Sequence, residues 1–68
     1  MKRNQWIISL PERMQAAFDK RDPQAAANII GEGKDSTLVH LAMQAARAAG
    51  FIPEYWPTGV RVSLPAEN

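Results

Sequence analysis

The chain has 68 residues, a net charge of +1, 46% hydrophobic and 22% charged residues, and no cysteine. That length holds one domain, and the composition is that of a folded globule rather than a disordered segment. The lack of cysteine excludes disulfide staples and thiolate metal sites. Strictly apolar runs, such as residues 6–8 and 25–27, stop at three, against the roughly 20 that a membrane span requires. Lys2 and Arg3 are not followed by the apolar stretch of a signal peptide, so the expected location is cytoplasmic. A dedicated nucleic-acid binder usually carries more positive charge than this chain. Any such contact must come from a local patch.

Residues 5–10 read as a short strand, with Trp6, Ile8 and Leu10 on one face and Gln5 and Ser9 on the other. A helix is the rival reading, because Trp6, Leu10 and Met14 are spaced by four; Pro11 argues against one continuous helix through the region. Ser9 and Glu12 have the spacing of a capping box, which predicts a first helix over residues 11–20 with Met14, Ala17 and Phe18 inward. Asp22 and Pro23 are a cap followed by a favoured first helical residue. They predict a second helix over 23–30 that buries Ala26, Ile29 and Ile30 and is stopped by Gly31 and Gly33.

Asp35, Ser36 and Thr37 offer three caps in a row for a third helix over 35–49, expected to be the longest, with Gly50 as its stop. Leu38, Leu41, Ala42, Ala45 and Ala49 share one predicted apolar face, and Thr37, His40, Gln44 and Arg47 a polar one. Pro53 keeps residues 51–56 extended, residues 57–59 form a turn, and 60–64 alternate with Val60, Val62 and Leu64 inward. Tyr55 and Trp56, as neighbours on a strand, point to opposite faces, one into the core and one more exposed. Residues 65–68 read as a frayed tail.

The predicted fold is therefore α+β: three short helices (11–20, 23–30, 35–49) and a C-terminal β-hairpin (51–56, 60–64). The strand over 5–10 can complete a three-stranded antiparallel sheet.

Nothing in the chain signals catalysis. His40 is the one histidine, and the seven acids form no paired motif. Residues 31–34 hold two glycines and a lysine but lack the spacing of a phosphate-binding loop. Asp35 and His40 are five apart, not the four of a metal-binding helix pair. No cofactor or metal is expected.

Two helices joined by a glycine-containing turn have the order of a helix–turn–helix unit. Residues 36–41, then Ala48, Ala49, Gly50, Phe51 and Ile52, then the hairpin ending in residues 60–64, resemble the recognition helix and wing of winged helix–turn–helix DNA-binding domains. The resemblance covers residues 11–64 in element order. It implies a DNA partner, with Lys34, Ser36, Thr37, His40, Gln44 and Arg47 toward the major groove or its phosphates, and Thr58 or Arg61 near the wing. Lys2 and Arg3 could add a basic arm. The alternative is a protein-binding module, an adaptor or inhibitor that uses the hairpin and the exposed one of Tyr55 and Trp56. A homodimer fits either reading.

Overall fold

A computed structural model describes residues 3–65, with side chains placed from Gln5 to Pro65. Of the expected basic arm, Lys2 and the side chain of Arg3 lie outside what is described, as do residues 66–68 of the expected tail. The elements run α1 (Arg3–Asp19), α2 (Pro23–Gly31), α3 (Ser36–Ala49), β1 (Ile52–Trp56) and β2 (Gly59–Ser63). The chain is a small α+β fold, and its sheet holds two strands, β1 and β2.

The expected strand over residues 5–10 is instead the first half of α1, so it adds no third strand to the sheet. The four-residue spacing prevails because it extends past Leu10. Trp6, Leu10, Met14 and Ala17 lie along one side of a helix and are all buried. A strand would have buried Ile8 with Trp6 and Leu10, and Ile8 is 76% exposed. Pro11 sits inside the helix on its exposed side. It lacks the N–H that would bond the carbonyl four residues back. Ser9 caps nothing here: its hydroxyl donates to the Trp6 carbonyl at 3.0 Å, a bond serines commonly make within helices. With 17 residues, α1 and not α3 is the longest helix.

α1 ends without a glycine. Arg21 takes the left-handed conformation at φ 54°. The amide of Asp22 then reaches back to the Ala17 carbonyl at 3.0 Å, a glycine-type helix stop. The Arg21 guanidinium lies 5.3 Å from the centre of the Phe18 ring. Asp22 caps α2 by accepting from the Ala25 amide at 3.1 Å, and Pro23 opens the helix as expected. Ala26, Ile29 and Ile30 are buried, also as expected.

The glycines after α2 act differently from the sequence expectation. The helix runs through Gly31 and closes on Glu32 in right-handed conformation. Gly33 lies close to α3: a side chain there would approach the backbone nitrogen and a methyl of Val39 to 3.1 Å. The turn is thus packed tightly onto the first turn of α3.

Asp35 caps α3 through the Leu38 amide at 2.9 Å, and Gly50 closes it at φ 108°. The buried face of α3 is rotated from the predicted one. Leu38, Ala42 and Ala49 are buried as expected, but Met43 and Ala46 join them, Ala45 is half-buried and Leu41 is exposed. Phe51 follows directly, buried edge-on against Phe18 at 5.3 Å between ring centres. β1 and β2 pair antiparallel with Tyr55 opposite Val60 and Glu54 opposite Arg61. Pro53, Tyr55, Val60 and Val62 share the inner face, with Pro53 buried, Val60 and Val62 half-buried and Tyr55 exposed.

Candidate nucleic-acid interface

Lys34 and Asp35 end the turn between α2 and α3, and Ser36 and Thr37 form the first turn of α3. Lys34, Ser36, Thr37, His40, Gln44 and Arg47 are all exposed. Thr37, His40, Gln44 and Arg47 recur at three- and four-residue intervals, so they form one continuous stripe along the helix. α3 is therefore open to solvent along its whole polar side.

The turn that carries Lys34 is tied to α1. The Glu32 carboxylate accepts two bonds from the Arg13 guanidinium, at 2.9 and 3.0 Å, and one from the Trp6 indole N–H at 3.0 Å. The Arg13 hydrogen bonds, helped by that of Trp6, hold the Glu32 carboxyl below the ordinary carboxylate range against a smaller effect of burial. The forked geometry is the strong form of this contact. No local pattern in the sequence discloses it, because the groups are 19 and 26 residues apart.

His40 joins the helix to the hairpin. Its Nδ1 lies 2.7 Å from the Ser36 carbonyl oxygen. A carbonyl only accepts, so Nδ1 carries the proton and Nε2 is left for an outside partner. The imidazole stacks on the Tyr55 ring at 6.5 Å between centres and 24° between planes. Tyr55 thereby extends the α3 face onto β1.

The expectation that one of Tyr55 and Trp56 enters the core is not met. They point to opposite faces, as alternation requires, but are 64% and 43% exposed. Tyr55 lies near the hairpin tip, opposite Val60, where its ring meets His40.

Arg61 separates from the α3 group. It is opposite Glu54 in register, on the face away from Tyr55 and Val60. Its guanidinium lies 5.0 Å from the centre of the Trp56 ring, while the Trp56 indole donates to Glu54 at 3.4 Å. Thr58, in the hairpin turn, is exposed. The predicted site residues thus form two groups: an α3 face with Tyr55, and an outer hairpin face with Arg61 and Trp56.

Among the described residues, no three His, Asp or Glu side chains gather as a metal site would require. No helix of the described residues is long and apolar enough to cross a membrane. In comparisons with known proteins, the chain matches no family model, no curated protein and no solved structure.

Proposed function

We propose that the chain is a small DNA-binding module of winged-helix type, with α3 as the element that enters the major groove. The observation that carries this reading is the continuous exposed face from Lys34 through Thr37, His40, Gln44 and Arg47 to Tyr55. Its residue types suit a base-reading surface. Gln44 and Arg47 can pair two-pronged with base edges, Ser36 and Thr37 can bond either bases or phosphates, and Lys34 is a phosphate contact. A glycine-packed turn ahead of a capped helix supports the same reading.

With Lys34 and Arg47 as the cations of this face, about two counterions are released per copy. The logarithm of affinity then falls with the logarithm of salt at a slope of about −2 per copy bound. The test is a titration of isotope-labelled protein with a short mixed-sequence duplex at low salt, repeated near physiological salt. Amide shifts within 34–47 and at Tyr55 that weaken with salt are the expected result, and Arg47→Glu abolishes them. A spectrum that does not move at low salt overturns the reading.

The exposure of Ile52, Tyr55 and Trp56 favours a second reading, docking on a protein. It predicts no response to duplex DNA, and loss of partner affinity when Trp56 or Tyr55 is cut back to alanine.

A further inference from the structure

The outer face of the hairpin pairs unlike residues at every position. Along β1 it carries Ile52, Glu54 and Trp56, and along β2 their register partners Ser63, Arg61 and Gly59. A large apolar residue thus sits beside a small one at each end, with an acid beside a base in the middle. All six are exposed. We propose that this face docks onto the same face of a second copy of the chain, about a two-fold axis parallel to the strands.

Such an axis lays β1 of one copy over β2 of the other and preserves position along the strand. Glu54 then stands over the second copy's Arg61, Trp56 over its Gly59 and Ile52 over its Ser63. Each contact occurs twice, as an isologous interface requires. The alternative two-fold axis, across the strands, sets Glu54 over Glu54 and Arg61 over Arg61, and like charges in contact are strongly disfavoured. Charge therefore selects the first arrangement.

Space selects it as well. A side chain built on Gly59 would meet nothing within 4 Å, which leaves room for an indole. Facing sheets stack about 10 Å apart, the depth of two interleaved side-chain layers.

The face is small. Five residues of strand span about 17 Å, and a standard interface buries roughly 800 Å² on each partner. The dimer is accordingly weak, with a dissociation constant between about 100 μM and about 1 mM, in the range of transient contacts. It forms whether or not the chain binds nucleic acid.

The experiment is sedimentation of the full chain from about 10 μM to about 1 mM, a range suited to weak self-association, with Glu54→Arg and Arg61→Glu run singly and mixed. The wild-type mass should rise from 7.5 kDa toward twice that value. Each single variant should self-associate at least about tenfold more weakly, because like charges then meet across the axis. An equimolar mixture should recover a heterodimer, since opposite charges meet again at both contacts; an effect confined to one chain gives no such rescue. Circular dichroism checks that each variant is folded. Trp56→Ala, which keeps both charges, should weaken self-association independently. A wild type that stays monomeric to the highest concentration overturns the proposal. So do single variants that associate like wild type, or a mixture without heterodimer.

Discussion

The helices and the hairpin bury their side chains to very different degrees. Met14, Ala26, Ile30, Ala42 and Ala46 have no exposed surface, whereas Pro53 is the one residue of β1 and β2 that is buried. A hairpin of two strands is barely stable alone. This one is held by Phe51, Val60, Val62 and Leu64 against the helical core. The difference suggests a division of labour: the helical core supplies the free energy of folding, and the hairpin is a presented surface.

The largest test of that division compares one core residue with one hairpin residue. Ile30→Ala removes a fully enclosed side chain and should cost about 2–5 kcal/mol, enough to unfold a large fraction of a domain this small. Val60→Ala trims a half-buried chain and should cost about 1 kcal/mol. Urea denaturation of both variants measures the contrast. Equal losses would mean that the hairpin is part of the stabilising core.

Two glycines sharpen the comparison next. At Gly50 the backbone has φ 108°, and an added side chain would lie 2.8 Å from the Phe18 ring. Gly50→Ala should therefore destabilise by about 2–3 kcal/mol through strain and displacement of Phe18 from Phe51. Gly31 is the last helical residue of α2, with open space around it. Gly31→Ala should stabilise by about 0.5–1 kcal/mol through reduced freedom of the unfolded chain. Thermal melts that shift in the same direction for both would refute this account.

Much of this was legible from local chemistry. Asp22 with Pro23, Asp35, and Gly50 mark the ends of α2 and α3, because caps and stops depend on neighbours in the chain. The hairpin follows from Pro53 and the alternation of Val60 and Val62. What escaped was set by distant contacts. Over residues 5–10, strand and helix patterns both bury Trp6 and Leu10, so six residues could not decide between them. Glu32 binding Trp6 and Arg13 belongs to the packing of α1 on the next turn. The rotation of α3 toward Met43 and Ala46 depends on where α1 and the hairpin sit, which Leu41 and Ala45 do not reveal. For the site, the α3 stripe was legible from its periodicity. The stack of Tyr55 on His40, and the turning away of Arg61, required the strand register.

The tie between α1 and the turn gives a pH-dependent prediction of intermediate size. The Glu32 carboxyl is held below its ordinary value by Arg13 and Trp6. The stability it contributes is therefore fully present above the ordinary carboxylate value, and is lost as pH falls through the depressed one. The pair is partly exposed, so the contribution is about 1 kcal/mol or less. Glu32→Gln should be less stable than wild type near neutral pH and converge on it in acid. A constant difference across the acid range would show that the charge of Glu32 does not carry the contact.

The smallest expected effect falls on the α3 face, where stability and binding should come apart. Arg47 is exposed and lies in the last turn of α3, where a cation is favoured by the partial negative charge of the helix end. Arg47→Ala should therefore cost only about 0.3–0.5 kcal/mol, and added salt should shrink the difference further. Urea denaturation at low and high salt checks this. A loss above about 1 kcal/mol exceeds the usual cost of an exposed substitution. Arg47 would then be a structural residue, and the loss of DNA shifts expected for Arg47→Glu could no longer be credited to a missing contact.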